Sequence, residues 1–267
     1  MADTHFGLPP FVDYTVDSCT NVSASSDKDN VKDDESIDVR MDLDDTTGFV
    51  MTIDLESLIT DPIVCIDHCN FTGINLKGDD EATFTLPPVD SSVTIGTNDY
   101  SKWYDYSGKA HHYIYRHIWQ LTEDVRYLRF TVSSQVATDG ASAHYVGRII
   151  VCSNVLSISQ NPDKGLTYRT NTPVGINQRA LGGRQYSKSK YKAWSGEFEW
   201  KEFRSANISE MQQLDLFPHE LVVVWENIDS DPANFWVCNV TDEGITVSRD
   251  KPLRYSIGTR TFREVLI

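Results

Sequence analysis

The sequence predicts a mainly β protein: a β-sandwich, a second β-rich domain with one short helix, and an extended acidic arm before them. From Ile37 onward, short runs such as "FVMTIDL", "PIVCIDHCNF" and "VRYLRFTVSS" combine alternating or continuous apolar and β-branched residues, which favours strands. Gly, Pro, Asn and Asp separate the runs, at intervals near the roughly 8 to 12 residues of a sandwich. Apolar residues form 40% of the 267-residue chain, enough to build a core.

Residues 1–35 are predicted to form the extended acidic arm. The stretch "SCTNVSASSDKDNVKDDES" has no period of two or of 3.6 that would define a buried face. Residues 1–60 hold 14 acidic and 3 basic residues, which gives −11 of the total charge of −15. We expect a partner to order the arm, because so polar a segment buries too little apolar surface to offset its backbone entropy.

The rest of the chain divides into a sandwich over residues 36–156 and a second β-rich domain over 157–267. The second domain contains the one clear helix, near 207–216, in "SANISEMQQLDLF". Asn207 and Glu210 can cap its start reciprocally. Ile208, Met211 and Leu214 recur on one side, so we expect the helix to lie on a sheet.

Composition excludes several classes of function. A charge of −15 repels nucleic acid, and no apolar run is long enough for membrane insertion. Five cysteines at irregular spacing do not form a secreted disulfide framework. No phosphate-binding loop, nucleophile elbow or dinucleotide fingerprint occurs. The chain is therefore expected to be neither an enzyme nor a protein with a cofactor.

The segment "CIDHCN" is the candidate metal site. Cys65, His68 and Cys69 are metal-ligand types. On a strand, however, Cys65, Asp67 and Cys69 would share one face and His68 the other. We therefore expect buried structural cysteines and no metal.

A basic segment contrasts with the acidic start. Residues 160–204 hold 9 basic and 4 acidic residues, a net charge of +5. One hypothesis is a head-to-tail contact between copies, which closes into a ring when the rotation allows it; the alternative is a solvated acidic segment and a solvated basic turn. The contact would join Arg179, Arg184, Lys188, Lys190 and Lys192 to Asp27, Asp29, Asp33, Asp34 and Glu35 of a neighbour.

Several stretches, taken in order, resemble a family of tailed-bacteriophage virion proteins with a galactose-binding-like (discoidin-like) β-sandwich. They are "FVMTIDLESLITDPIVCIDHCNF", "VRYLRFTVSS", "YVGRIIVCSNV", "LGGRQYSKSKYKAWSGEFEWKEFRSANISEM" and "TRTFREVLI". The resemblance implies a structural protein of the virion, in the tail, baseplate or neck. It would assemble in the host cytoplasm as multiple copies, with itself and other virion proteins as partners. The acidic start and the insertion at 97–119 depart from the family.

A carbohydrate-binding module that recognises host-surface glycans is the alternative function, because discoidin-like sandwiches often bind sugars through their loops. Aromatic side chains of the insertion would then stack on sugar rings. Packing in the core or at an interface is the competing interpretation. The aromatic residues are Trp103, Tyr104, Tyr106, Tyr113 and Trp119.

Overall fold

The computed structural model describes residues 4–24, 26–32, 40–104, 110–158, 164–179, 185–204, 208–214, 216, 221–225, 228–240, 247–251 and 254–264. Within 97–114, 164–204 and 247–261, and at 210, 211, 263 and 264, it describes the backbone alone. The described strands form three sheets in which neighbouring strands run antiparallel.

The first sheet, here named the outer sheet, has five strands. They are β2 (Thr15–Cys19), β4 (Gly48–Ile59), β6 (Gly73–Asp79), β7 (Val89–Thr94) and β10 (Val125–Ser133). Their order across the sheet is β2-β4-β10-β6-β7. Alternate residues of β4 and β10 are buried, so one face of this sheet meets the core and the other meets solvent.

The second sheet, the middle sheet, packs against the buried face of the outer sheet. Its strands are β3 (Met41–Asp42), β5 (Ile63–Cys69), β8 (Gly96–Tyr104), β9 (Ala110–Gln120) and β11 (Tyr145–Cys152), in the order β3-β11-β5-β9-β8. Met51 and Phe130 of the outer sheet share one apolar cluster with Val64, Trp119 and Val151 of the middle sheet. These two sheets form the predicted β-sandwich.

The third sheet covers the other face of the middle sheet. It contains β1 (Thr4–Gly7), β12 (Val155–Ile158), β13 (Lys164–Arg179), β14 (Gln185–Arg204), β15 (Leu221–Trp225), β16 (Phe235–Val240), β17 (Val247–Lys251) and β18 (Arg254–Glu264). The order is β12-β1-β15-β16-β18-β14-β13, and β17 pairs with β18. Cys65 and Ile118 of the middle sheet contact a cluster that includes Val223 and Phe235 of the third sheet. The mainly β fold is thus confirmed.

The described part of residues 1–35 differs from the predicted extended arm. Thr4–Gly7 pairs with β12 and β15, and Thr15–Cys19 pairs with β4. A short 3-10 helix over Lys28–Lys32 buries Val31. The partners of β1 lie far along the chain, so local periodicity could not reveal its buried face. The prediction of an extended arm is therefore corrected for the described residues. The predicted domain boundaries at residues 35 and 156 stay a prediction.

The predicted helix is confirmed as α1, Ile208–Leu214. Leu214 is buried, and Ile208 packs against the same apolar cluster as Phe6 and Trp236 of the third sheet. The helix therefore lies on a sheet, as its spacing predicts. Asn207, the proposed cap, lies outside the described residues.

The cysteines of "CIDHCN" are buried, as predicted, but they do not share a face. Cys65 belongs to the cluster toward the third sheet, and Cys69 belongs to the core of the sandwich. His68, between them, adopts a left-handed backbone with φ 61°, and the pairing of β5 with β9 shifts register between Ile66 and Cys69. This irregularity reverses the alternation that a regular strand would keep.

Candidate functional site

The solvent face of the outer sheet brings polar side chains from four strands together. Register pairs Thr52 of β4 with Arg129 of β10, Arg129 with Lys77 of β6, and Lys77 with Asp90 of β7. Thr52, Lys77 and Arg129 alternate with buried residues along their strands, and Asp90 alternates with partly buried ones. All four therefore point away from the core. The result is a polar row that crosses four strands.

A second row lies beside the first, two residues further along each strand. Its members are Val50, Thr131, Asn75 and Ser92. A depression of about 540 Å³ is lined by both rows: Val50, Asn75, Lys77, Asp90, Arg129 and Thr131. A neighbouring depression of about 370 Å³ also uses Asn75 and Thr131 and reaches Ser92 and Thr94. The two depressions together form the candidate site, named the outer-face groove.

Hydrogen bonds fix the polar groups at the β7 side of the groove. Asn75 donates from Nδ2 to Asp90 Oδ1 at 2.7 Å and to Ser92 Oγ at 2.9 Å. Lys77 Nζ lies 3.3 Å from Asp90 Oδ2. The hydrogen bond from Asn75, followed by the one from Lys77, lowers the pKa of Asp90. The carboxylate is therefore ionised at neutral pH and holds both neighbours in place.

Arg129 is fixed at the other side of the groove. Its Nε donates to Thr52 Oγ1 at 3.4 Å, and its Nη2 donates to the Ala82 carbonyl at 3.3 Å. The guanidinium also lies 4.1 Å from the centre of the Phe84 ring, a distance at which a cation and a ring attract. Phe84 has φ 52°, which is uncommon for an aromatic residue.

The loops at one end of the sandwich carry another group of polar side chains, and these bond to one another. Asn21 donates to Asp45 Oδ1 and to the Gly48 carbonyl. Asn70 donates to Asp139 Oδ1 and to the Ala143 carbonyl, and accepts from Tyr145 N. These contacts join loops of the chain itself, which is a structural role.

The structure corrects one of the predicted sugar-stacking residues. Trp119 is 5% exposed, and its ring packs against His117 and Phe130 inside the sandwich, so no sugar can stack on it. Trp103, Tyr104 and Tyr113 lie on β8 and β9, where the backbone alone is described, and Tyr106 lies outside the described residues.

The residues of the predicted contact between copies are partly described. Asp27 and Asp29 are exposed at the start of the short 3-10 helix. Arg179 lies on β13 and the three lysines 188, 190 and 192 lie on β14, with their backbones described. Asp33, Asp34, Glu35 and Arg184 fall outside the described residues. The contact stays a prediction.

Sequence reasoning did not single out the residues of the outer-face groove as a site. Asn75 and Lys77 alternate with the apolar residues Ile74 and Leu76 in "GINLKGD", which does predict an exposed position for them. The pairing of β6 with β7 and β10 is what joins them to Asp90 and Arg129. That pairing is a tertiary property that the local pattern does not contain.

No three His, Cys, Asp or Glu side chains of the described part lie in a group that could hold a metal ion. Within the same residues, no helix has both the length and the apolar composition needed to cross a membrane.

No family model matches the chain, and a comparison with curated proteins finds no match. Among solved structures, a Ruminococcus gnavus GH29 fucosidase in complex with fucose is similar at 14% identity and a TM-score of 0.38, over 53% of this chain and 25% of that one. A CBM32 module of a family 31 glycoside hydrolase from Clostridium perfringens gives 11% and 0.39, over 53% and 91%. Reduced XRCC1, bound to the DNA polymerase β catalytic domain, gives 12% and 0.40, over 54% and 99%. The chain thus spans a quarter of the fucosidase and nearly all of the two smaller proteins.

Proposed function

We propose that this chain is a carbohydrate-binding module without catalytic activity, and that its glycan lies in the outer-face groove. The observation that carries the proposal is the pair of adjoining depressions that share Asn75 and Thr131. Sugars present hydroxyl groups that both donate and accept hydrogen bonds, so a surface that binds them needs donors and acceptors side by side. The groove offers amide, hydroxyl, carboxylate, ammonium and guanidinium groups within four neighbouring strands.

These groups are held in position by contacts within the protein. Asn75 uses its Nδ2 atom on Asp90 and Ser92, which leaves its Oδ1 atom as an acceptor without a partner among the described residues. Ser92 accepts from Asn75, so its hydroxyl hydrogen remains for a ligand. Side chains that are already ordered lose little conformational entropy when a ligand binds. The groove is therefore suited to a polar ligand that exchanges hydrogen bonds with these groups.

The same residues favour binding over hydrolysis. Most glycoside hydrolases need two carboxyl groups on either side of the bond, roughly 5 to 10 Å apart. Asp90 is the one carboxylate among the described residues that line the two depressions. Its lowered pKa, caused by Asn75 and then Lys77, also makes it a poor proton donor.

Assembly into a phage particle, which the resemblance of the sequence implies as the main function, is the second candidate. It depends on a contact between the acidic and basic segments, and of the residues predicted to form that contact the structure describes the exposed Asp27 and Asp29 and the backbone of four cations on β13 and β14. A glycan-binding module on a virion would satisfy both hypotheses. The described side chains support glycan binding, and the position in a particle stays a prediction.

Replacing Asn75 by alanine is expected to weaken glycan binding about tenfold, because it removes the amide and releases Asp90 and Ser92. The full chain would first be screened on an array of neutral and acidic glycans, and the best ligand titrated by calorimetry. Asn30→Ala is the matched control, since Asn30 donates to the Arg40 carbonyl on an exposed surface away from the groove. A folded protein that retains no glycan would contradict the proposed function, and an unchanged affinity in Asn75→Ala would place the ligand elsewhere.

A further inference from the structure

Arg129 differs from Arg126 and Lys77, two other cations of the outer face, in its contacts: its described partners include no carboxylate. Arg126 forms a two-pronged ion pair with Asp54, at 2.9 and 3.0 Å, and Lys77 is paired with Asp90. Arg129 contacts only neutral groups of the described chain: a hydroxyl, a carbonyl and an aromatic ring. A half-buried guanidinium without a carboxylate is unusual in a chain with a net charge of −15, because acidic partners are abundant.

The contacts of Arg129 leave one part of the guanidinium for a ligand. Thr52 and Ala82 occupy Nε and Nη2, and the Phe84 ring covers one face of the plane. The hydrogens of Nη1 have no partner among the described residues. Arg129 also lines the larger depression. The guanidinium that carries the unpaired Nη1 hydrogens therefore borders the groove.

We infer that the glycan of the outer-face groove is an acidic one, whose sugar carboxylate is bound by Arg129. This inference rests on the proposed function. A guanidinium binds a carboxylate through short, charge-assisted hydrogen bonds, which are about twice as strong as neutral ones. Thr131 and Asn75 occupy the next row, two residues along the strands, and thus roughly 7 Å away. They would contact hydroxyl groups of the same or the neighbouring sugar while Arg129 holds the carboxylate.

The surrounding charges favour a single carboxylate over a dense polyanion. Asp90 lies in the same row as Arg129, with Lys77 between them, and an ionised Asp90 repels additional negative charge. The net charge of −15 repels polyphosphate chains at long range. Uronic acids and sialic acids both carry one carboxylate for each acidic sugar, and separate ligands distinguish the two sources.

The test compares acidic glycans with their neutral counterparts. The full chain is titrated with a galacto-oligosaccharide that carries one galacturonic acid and with the neutral galacto-oligosaccharide of equal length, and in a second series with sialyllactose and lactose. We expect one acidic ligand to bind about tenfold to a hundredfold more tightly than its counterpart, and Arg129→Met to remove that preference. Arg40→Met is the matched control, because Arg40 also lies 4.1 Å from an aromatic ring, that of Tyr145, outside the groove.

The outcomes of this test distinguish a failure of the inference, an acidic glycan bound by Arg129, from a failure of the proposed function, glycan binding itself. Equal affinity for acidic and neutral glycans, or an acidic preference that survives Arg129→Met, would overturn the inference and leave glycan binding intact. Tighter binding of sulfated than of carboxylated sugars would also overturn it. The absence of binding to any glycan would overturn both. Arg129→Lys, which keeps the charge but loses the planar fork, is expected to bind with intermediate affinity and serves if the Met variant does not fold.

Discussion

Replacing Asp67 by alanine is expected to lower the free energy of unfolding by about 3 to 5 kcal/mol, because it breaks a buried ion pair by removing one partner. Asp67 is 2% exposed and lies on β5 between two arginines that are each 1% exposed. Arg116 Nε lies 3.0 Å from Asp67 Oδ1, and Arg148 donates from Nε and Nη2 to Oδ2 at 3.1 and 2.8 Å. Without the carboxylate, two buried guanidinium groups would face each other.

Loss of the Asp67 carboxylate is expected to affect both the middle sheet and the third sheet. Arg116 also donates from Nη1 to the Phe235 carbonyl of the third sheet at 2.8 Å. Burial alone would raise the pKa of Asp67, but the charges of Arg116 and then Arg148 outweigh it and lower that pKa. The carboxylate is therefore ionised at neutral pH, where it orients a side chain that connects the middle and third sheets.

Urea unfolding at neutral pH measures the decrease in the free energy of unfolding. Asp54→Ala is the matched control, because Asp54 also forms a two-pronged pair, with Arg126, but at the surface, where such a pair contributes about 1 kcal/mol or less. We expect Asp67→Ala to cost several times more than Asp54→Ala. Equal costs would mean that water reaches the Asp67 cluster. Asp67→Asn, which keeps the size of the side chain, replaces the alanine variant if that variant does not fold.

Strands could be predicted from the sequence where the evidence for them is local. The runs "FVMTIDL" and "VRYLRFTVSS" alternate between core and solvent along their own length, and the structure places β4 and β10 there. The helix at Ile208–Leu214 was likewise visible in its spacing. Such patterns survive folding because a sheet or a helix needs one apolar face of fixed period.

Features that depend on distant partners could not be predicted. The four residues of "THFG" form β1 because β12 and β15 pair with them on both sides, more than one hundred residues away. The left-handed backbone of His68 moves Cys69 to the opposite face from Cys65. The outer-face groove exists because β7 and β10 flank β6, which brings Asp90 and Arg129 to either side of Lys77.

The role of Trp119 could not be predicted from the aromatic composition of the insertion. Trp119 was a candidate for sugar stacking because aromatic residues cluster around it in the sequence. The structure uses its side chain as core, against Phe130 of the opposite sheet. A strand with one buried and one exposed face carries aromatic residues for either purpose, and only the pairing of the sheets decides which face each one occupies.

Lowering the pH from about 7 to about 5 is expected to destabilise the fold by roughly 2 kcal/mol for each of two histidines, the buried His117 and the partly buried His68. Burial lowers the pKa of His68 and that of His117 from 6.5 to about 4. A group whose pKa is depressed in the folded state stabilises that state above its unfolded pKa. The stabilisation is lost as the pH falls from about 6.5 toward about 4, because the unfolded chain takes up protons that the folded chain does not.

The surroundings of each histidine explain why its pKa is lowered. For His68, Asp67 opposes the shift, while Arg148, Arg116 and Arg40 add to the effect of burial. For His117, burial is the cause, and its ring packs against Trp119 with centroids 4.4 Å apart. Protonation of either ring would place a charge in an apolar or already cationic surrounding.

The measurement is the free energy of unfolding in urea at several pH values, for the natural chain and for His68→Asn combined with His117→Gln. Asparagine tolerates the left-handed backbone at position 68. The double variant is expected to have a flatter pH dependence between about pH 7 and pH 5, whatever its stability at pH 8, because the slope counts only protons taken up on unfolding. His144, whose pKa is also lowered by burial, contributes to the slope that remains. An unchanged slope in the double variant would show that both rings are already protonated, or equally accessible to protons, in the folded state.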